Sequence, residues 1–369
     1  MLTNVVHFTA SNVWRGHEQM IIDLFESFRD FEFVKHQVII CNVDSAIFKV
    51  ATEKKLNVIG FEIKSGFDLK FAKKLKNFTE SNHTDILMIH NSKAHKLSVL
   101  AGLFYGLKTP MVLCRTMMEK VDTNVFRKWK YNYKGIKKIV CISEPVVEVL
   151  KPAIKDHNKM TVVGSVVDTE RYINKTKNGY LHKEFNIPTD HKIIGNISAF
   201  CEVKDHFTWV NTVAELKQRN LKATYILIGD GPMEQEIKDY VISKGLQNDI
   251  IFAGFRKDVP LCLTEFDLFL FTSKNEATGG VILESYACKV PVVASNAGGI
   301  PTVLIDNETG LLAEVGNPVD FADKSIYLLN NKQLQDKFIK NGFEFLMETS
   351  SREVISKKMI AVLNQVVQL

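Results

Sequence analysis

Several features that mark common protein classes are missing from this chain of 369 residues. No stretch of about eighteen apolar residues occurs, so nothing in the sequence predicts a membrane-spanning helix. The six cysteines are scattered and never spaced as C-x-x-C, which favours reduced core residues over a metal site or a disulfide framework. The first residues lack the basic start and the small-residue cleavage site of a signal peptide. These absences lead us to expect a cytoplasmic protein.

The first loop also lacks the glycines of a dinucleotide-binding site. The residues from Asn4 to Thr9 predict a strand, and a helix is predicted from about His17. A nucleotide-binding dehydrogenase would carry G-x-G-x-x-G in the turn between them. The turn reads Ser11-Asn-Val-Trp-Arg-Gly16, with a single glycine, and therefore argues against that class.

Composition and length bound the architecture. Apolar residues make up 46% of the chain and charged residues 24%, which are the proportions of a soluble globular protein. A chain of this length is too long for one average core and suits two domains.

Residues 271–310 form the most informative stretch of the sequence. An apolar run ending at Phe271 predicts a buried parallel strand, and a polar turn follows. A helix is predicted from Val281 to about Lys289, and a second strand from Pro291 to Ala294. Strand, turn, helix and strand make a βαβ unit, whose turn lies where open α/β sheets bind ligands.

The residue types in this turn suit a phosphate joined to a polyhydroxylated group. Gly279 and Gly280 allow close approach to the free N–H groups at the start of the helix. Glu276 precedes the turn and Glu284 lies about one turn into the helix. Their carboxylates can accept hydrogen bonds from hydroxyl groups.

Glu276 and Glu284 with seven residues between them, followed by Pro291-Val-Val and Gly298-Gly299, resemble the donor-site signature of the retaining GT-B glycosyltransferases, the group 1 family. The resemblance covers almost the whole chain and is strongest over residues 190–315. It implies an α/β fold of GT-B architecture, with two Rossmann-like domains facing across a cleft. The implied acceptor domain spans residues 1–172, and a C-terminal helix at 351–369 crosses back to it. The implied donor domain spans residues 185–350, after a linker within the polar stretch 169–191.

The resemblance assigns the donor site to the second domain. Glu276 would orient the sugar and stabilise developing positive charge, Glu284 would hold the ribose, and Lys204 would neutralise the diphosphate. Further donor contacts are implied in the first loop, at the start of the helix after Glu276 and beside the nucleotide base: Gly16, Thr278, Gly279, Gly280, Val281, Phe255 and Arg256.

In the first domain the resemblance points to His90, at the end of a predicted strand, as the residue that contacts the sugar. A buried histidine bonded to a backbone carbonyl is the alternative for this position. Arg115, Lys93 and His17 would lie on the acceptor side, although Lys93 could equally cap its own loop.

Five positions depart from the family pattern, namely His17, Val166, Ala199, Ala277 and Thr302. Ala199 stands where the family often has an arginine, so one charge partner of the diphosphate is missing. No Asp-x-Asp occurs in the chain, so we expect no bridging metal and no cofactor beyond the nucleotide-sugar co-substrate.

The expected activity is therefore metal-independent transfer of a sugar, with retention, from a UDP- or GDP-sugar to a glycan or lipid-linked acceptor of a cell-surface polysaccharide or glycolipid. Two alternatives stay open: a catalytically silent, donor-binding partner subunit, and a sugar-nucleotide epimerase on the same fold.

Charge is distributed unevenly along the chain. The first 180 residues carry 28 Lys and Arg against 18 Asp and Glu, whereas the remainder carries 19 against 24. The basic excess concentrates in residues 108–138 and suits an anionic membrane surface or an acidic acceptor, or equally a solvated helix face. Its central cluster is Arg127, Lys128, Lys130 and Lys134. We expect no nucleic acid partner.

Overall fold

Two α/β units make up the chain, and the C-terminal helix belongs to the first of them. The computed structural model describes the backbone of residues 3–119, 121 and 124–368. Unit 1 comprises Met1–Val166 and Arg352–Leu369, and unit 2 comprises Val167–Ser351. The stretch 169–191, which we predicted to contain the linker, belongs to unit 2 because Tyr172, Leu181 and Ile187 are buried in its core.

Unit 1 is built on seven strands and seven helices in its described part. The strands are β1 (Thr3–Phe8), β2 (Val34–Asn42), β3 (Val58–Phe61), β4 (Ile86–Ile89), β5 (Met111–Arg115), β6 (Ile136–Cys141) and β7 (Met160–Val162). The helices are α1 (Gly16–Ser27), α2 (Ala46–Glu53), α3 (Leu69–Ser81), α4 (Ser92–Tyr105), α5 (Val125–Tyr131), α6 (Glu144–Leu150) and, at the end of the chain, α15 (Arg352–Val367). The sheet order is β3-β2-β1-β4-β5-β6-β7, and all pairs are parallel.

Unit 2 repeats the design with six strands. These are β8 (Lys192–Ile197), β9 (Ala223–Ile228), β10 (Ile250–Phe252), β11 (Leu268–Phe271), β12 (Val292–Ser295) and β13 (Leu311–Ala313). Its helices are α7 (Glu170–Ile173), α8 (Tyr180–Glu184), α9 (His206–Gln218), α10 (Glu234–Ser243), α11 (Val259–Glu265), α12 (Gly280–Ala287), α13 (Pro318–Leu329) and α14 (Lys332–Thr349). The parallel sheet has the order β10-β9-β8-β11-β12-β13.

Local sequence explains where these elements begin and end. The central strands β4 and β11 are apolar on both faces and fully buried, as expected of parallel strands covered by helices. Asn91 caps α4 by accepting a hydrogen bond from the Ala94 N–H (2.8 Å), and the helix ends at Gly106 in the left-handed conformation. Strand, cap and helix therefore follow one another as the sequence predicts.

The last helix, α15, is part of the core of unit 1. Ile355, Met359, Leu363 and Val366 recur at helical spacing and are buried against strands β1, β4, β5 and β6 and against α1. Ser356 on the same helix donates a hydrogen bond to the Ser27 hydroxyl (2.6 Å).

All six cysteines are free thiols, and five of them are buried. Within the described part of the chain, no helix combines the length and the apolar character needed to cross a bilayer.

Candidate active site

The carboxyl edge of the unit 2 sheet brings together two loops that are distant in sequence. Strand β8 pairs with β11 in the middle of this sheet, and the strand order reverses direction between them. The loops that follow the two strands, residues 198–205 and 272–279, therefore leave the sheet side by side. In open α/β sheets this switch point is where ligands bind.

Lys204 and Glu276 meet at this switch point. The Lys204 ammonium forms an ion pair with Glu276 Oε1, and the Ser273 hydroxyl donates a hydrogen bond to the same oxygen (2.8 Å). The ammonium also lies 5.0 Å from the centre of the Phe271 ring. The two side chains are 21% and 14% exposed, so both can be reached from solvent. The structure thus joins the two residues that we predicted to act on the diphosphate and on the sugar.

Gly298 and Gly299 hold the backbone of this loop in place. The Gly299 N–H donates to the carbonyl of Glu276 (2.7 Å). A side chain on Gly298, whose φ is +54°, would lie 2.4 Å from that carbonyl oxygen, and one on Gly299 would lie 1.9 Å from the carbonyl oxygen of Ala277. Only glycine fits here, which gives a physical reason for the two glycines that follow the Glu-x7-Glu spacing.

Helix α12 begins directly after the loop. Gly279 precedes it in the left-handed conformation (φ +80°), and no side chain among the described residues caps its first turn. The N–H groups of Gly280 and Val281 are therefore available to an anion, with the buried Thr278 beside them. Glu284, on the second turn, is partly exposed.

A buried polar network supports the Lys204 loop. The Asn196 amide donates to the carbonyl of Leu270 (2.8 Å) and so ties β8 to β11. The Ser198 hydroxyl donates to Asn196 (2.6 Å) and lies 3.1 Å from His206 Nε2. Burial, assisted by the nearby Lys204 charge, lowers the pKa of His206 to about 4, so this ring adds no positive charge at neutral pH. The sequence did not lead us to this network, although Asn196 in an otherwise apolar strand was a usable signal.

Phe255 and Arg256, which we predicted to lie beside the nucleotide base, differ in whether they are free to contact a base. The Phe255 side chain is exposed. The Arg256 guanidinium is held by Asp258, at 2.8 and 2.9 Å, and by Glu184. This guanidinium lowers the pKa of Asp258 to about 2. A base could therefore stack on Phe255 without competition, whereas it would have to share Arg256 with two carboxylates.

In unit 1, His90 lies at the corresponding edge of the sheet. It follows β4, is buried, and stacks on His7 with a ring separation of 5.3 Å. His90 Nε2 is 3.2 Å from His7 Nδ1, and His90 Nδ1 has no hydrogen-bond partner among the described residues. Burial, together with His7 and His17, holds the pKa of His90 well below its usual value. His90 is thus a neutral ring that bonds another histidine and not a backbone carbonyl.

Comparison with known proteins identifies the family. A sequence profile of the family described as "Glycosyl transferases group 1" matches residues 177–345, which is most of unit 2. The matched part of unit 2 belongs to this family.

Relatives of the glycosyltransferase extend the likeness beyond unit 2. It is 28% identical to N-acetyl-alpha-D-glucosaminyl L-malate synthase of Bacillus anthracis over 297 residues, which cover 78% of this chain and 77% of that protein. It is 27% identical to the lipopolysaccharide core biosynthesis glycosyltransferase LpsE of Rhizobium meliloti over 231 residues, which cover 61% and 63% of the two proteins.

The solved structure of HepE from Anabaena, in complex with UDP and glucose, superposes with a TM-score of 0.85 and covers 98% of this chain and 100% of that one. At 19% identity this likeness bears on the fold alone, and it confirms the predicted GT-B fold of the glycosyltransferase.

The remaining predicted residues of the glycosyltransferase lie in unit 1. The Lys93 ammonium donates to the carbonyl of Ile63 (3.2 Å) and so supports its own loop. The His17 ring is 3.0 Å from the Thr116 hydroxyl and 6.3 Å, centre to centre, from His90. Gly16 is exposed at the start of α1, where the buried Glu18 carboxylate accepts a hydrogen bond from the Arg15 N–H (3.0 Å). A phosphate at Gly16 would therefore approach a helix end that already holds a carboxylate.

One member of the predicted basic cluster is not on the surface. Arg127, Lys128 and Lys134 are exposed, as the sequence pattern indicates. Lys130 is only 7% exposed, because it lies on the inner side of α5. Its backbone carbonyl oxygen is 3.3 Å from His95 Nε2. Lys130 is therefore not part of a solvated helix face.

Proposed function

We propose that this glycosyltransferase moves a sugar from a UDP- or GDP-sugar to a glycan or lipid-linked acceptor, with retention at the anomeric carbon, in the synthesis of a cell-surface polysaccharide or glycolipid. The observation that carries the proposal is the contact between Lys204 and Glu276 at the switch point of unit 2. It places a cation and a carboxylate together beside an uncapped helix start.

Each part of this arrangement meets one demand of the reaction. A departing nucleoside diphosphate needs positive charge, which Lys204 and the first N–H groups of α12 would supply. A sugar that gains oxocarbenium character needs a fixed carboxylate. The Ser273 hydroxyl holds the Glu276 carboxylate, and the Gly299 N–H holds the Glu276 backbone. Glu284 would accept hydrogen bonds from the ribose hydroxyls. Lys204 and the helix start would together bind the diphosphate without a metal ion.

The proposals for donor and acceptor draw on the relatives. The HepE structure holds UDP and glucose, which makes UDP-sugars the first donors to test. LpsE is named for lipopolysaccharide core biosynthesis, which supports an acceptor of the polysaccharide or glycolipid class.

The test is to incubate the purified full chain with UDP-glucose, UDP-N-acetylglucosamine, UDP-galactose or GDP-mannose without acceptor and to follow the products by proton NMR. Slow hydrolysis that releases the anomer of the donor sugar first would support a retaining transferase, and an unchanged rate with EDTA would support metal independence. Release of the opposite anomer would overturn retention. Binding without turnover would indicate a silent subunit, and a different sugar nucleotide would indicate an epimerase.

A further inference from the structure

Unit 1 contains a group of cations around the end of β5 that the donor chemistry does not use. Arg115 ends β5, Lys130 lies on α5, and Lys96 and Arg127 lie near them on α4 and α5. We propose that Arg115 and Lys130 form a binding site for an anionic group, a carboxylate or a phosphate, carried by the acceptor. This inference rests on the proposed function, since it names the chemical class of the acceptor.

The two central cations are buried without an anion. Arg115 is 9% exposed and Lys130 is 7% exposed. Within the described part of the chain, neither forms an ion pair with a carboxylate. Arg115 donates one hydrogen bond, to the backbone carbonyl of Glu119 (2.9 Å), while its Nε has no partner among the described residues. The Lys130 ammonium lies 5.1 Å from the centre of the Tyr131 ring. Buried charges are normally paired, so this arrangement lacks its counter-ion.

The surrounding charges increase the demand for an anion. Burial, together with the charges of Lys96, Arg115 and Arg127, lowers the pKa of Lys130 to about 8. Burial holds the pKa of the neighbouring His95 well below its usual value, and the charges of Lys130 and Arg115 lower it in the same direction, so this ring is neutral. The charge of the Glu119 carboxylate contributes to the raised pKa of the Tyr131 hydroxyl. In the described part of the chain, this carboxylate forms no ion pair with Arg115 or Lys130. An anion bound here would relieve the repulsion between the cations.

Arg115 lies at the end of β5, next to the strand that is followed by His90, the residue predicted to contact the sugar. Strand β5 pairs with β4, and His90 follows β4 directly. Arg115, Thr116 and His90 line the same small cavity, of about 30 Å³. An acceptor whose anionic group bound Arg115 would thus lie next to the histidine that we place beside the sugar. The anionic group would fix the acceptor, and with it the hydroxyl that attacks the sugar.

Burial also separates this site from a membrane-binding surface. A flat lipid surface contacts exposed cations such as Arg127, Lys128 and Lys134. Arg115 and Lys130 lie too deep for that and instead suit a single anionic group that enters the protein.

Inorganic phosphate, titrated by calorimetry into the full chain in the presence of saturating UDP, tests the site. UDP keeps phosphate from the Lys204 site. Lys130→Met keeps the length and the burial of the side chain but removes its charge, and Lys128→Met makes the same change at an exposed position of the same helix. We expect Lys130→Met to weaken phosphate binding about tenfold or more, and Lys128→Met less than twofold. Equal effects of the two changes, or no phosphate binding to the parent, would overturn the proposal.

Three controls complete the experiment. Lys130→Met should unfold at the same or a higher temperature without phosphate, because it removes a buried unpaired charge. The affinity for UDP should be the same in Lys130→Met as in the parent. If UDP binds to neither of these two proteins, the proposed donor site is wrong, whereas the comparison of their phosphate affinities still tests the anion site. Phosphatidylglycerol vesicles distinguish a membrane surface from a single bound anion. If the parent binds these vesicles but not inorganic phosphate, and both lysine variants weaken vesicle binding equally, the cations serve a membrane surface and the inference is overturned.

Discussion

At the scale of single residues, Lys204 and Glu276 share one ion pair but have different partners in the proposed reaction. The ammonium would turn to the diphosphate. The carboxylate would remain by the sugar because the Ser273 hydroxyl donates to it and the Gly299 N–H holds the backbone carbonyl of the same residue. Glu284, on α12, would contact the ribose in the ground state and in the transition state alike. The two glutamates should therefore fail in different ways when they are replaced.

The first prediction compares them kinetically. Glu284→Ala should mainly raise the donor KM, because a charge-assisted hydrogen bond worth about 1.5–3 kcal/mol is lost from both states. That corresponds to roughly 10- to 150-fold. Glu276→Ala should lower kcat about 100-fold or more with little change in nucleotide affinity. Glu276→Gln keeps the hydrogen-bonding shape and removes the charge, and so separates orientation from electrostatics. Turnover like the parent's in both alanine variants would show that the site lies elsewhere.

His7 provides a prediction about pH. Its complete burial lowers its pKa to about 4. Between pH 6.5 and pH 4 the unfolded chain binds a proton on this ring and the folded chain does not, so the free energy of unfolding should fall as the pH is lowered through that window and be fully present above it. His7→Gln should reduce this fall. An NMR titration of the imidazole, assigned with the variant, should show a neutral ring at pH 6, and titration near pH 6.5 would contradict the account.

At the scale of elements, the active edge of unit 2 depends on the fit between two turns. The turn after β12 presses against the turn after β11, and Gly298 leaves just enough room for the carbonyl of Glu276. Displacing this backbone would move Glu276 away from Lys204 and from the start of α12. Donor affinity should therefore depend on a residue that need not touch the donor.

Gly298→Ala tests this dependence, with Gly316→Ala as a matched control. Both glycines have positive φ, but a side chain at Gly316 would meet open space. Gly316→Ala should cost only the strain of the left-handed conformation, about 1–2 kcal/mol. Gly298→Ala should destabilise unit 2 by about 1–3 kcal/mol more and weaken UDP binding at least about tenfold, because it also displaces the loop. The checks are urea unfolding and calorimetry; identical behaviour of the two variants would refute the packing argument.

The elements also show what could be predicted from sequence. Strand β11, its turn and α12 were predictable because apolar runs, glycines and a helical pattern are local signals. The assignment of Lys204 and Glu276 to one donor site came only from the family resemblance, since the two are far apart in the chain, and their ion pair was not predicted. Lys130 was predicted to lie in the surface basic cluster with Arg127, Lys128 and Lys134, because charge spacing does not show how deep a side chain lies. His7 was missed altogether, although a histidine inside an apolar strand marks a position that needs a polar partner.

At the scale of the whole molecule, the C-terminal helix should govern the stability of unit 1 specifically. Leu363 on α15 is fully buried among residues of β1, β4 and α1, whereas Gln365 on the same helix is exposed. Leu363→Ala should destabilise unit 1 by about 2–5 kcal/mol. Gln365→Ala should have little effect on stability.

Native-state hydrogen exchange measures the stability of each unit separately in the full chain. Leu363→Ala should accelerate exchange of the protected amides in β4 and β5 and leave those in β8 and β11 as they are in the parent. Equal acceleration in both units would show that they unfold together and that α15 does not act on unit 1 alone.

In the proposed reaction, unit 2 binds the nucleotide of the donor at the switch point between β8 and β11. Hydrogen exchange of the full chain with and without saturating UDP, and in parallel GDP, tests it without knowledge of the sugar or the acceptor. We predict that the nucleotide protects backbone amides in residues 276–284, at the start of α12. At the same nucleotide concentration, this protection should be weaker in Glu284→Ala. Protection confined to unit 1, or none in residues 276–284 with either nucleotide at saturation, would contradict the account.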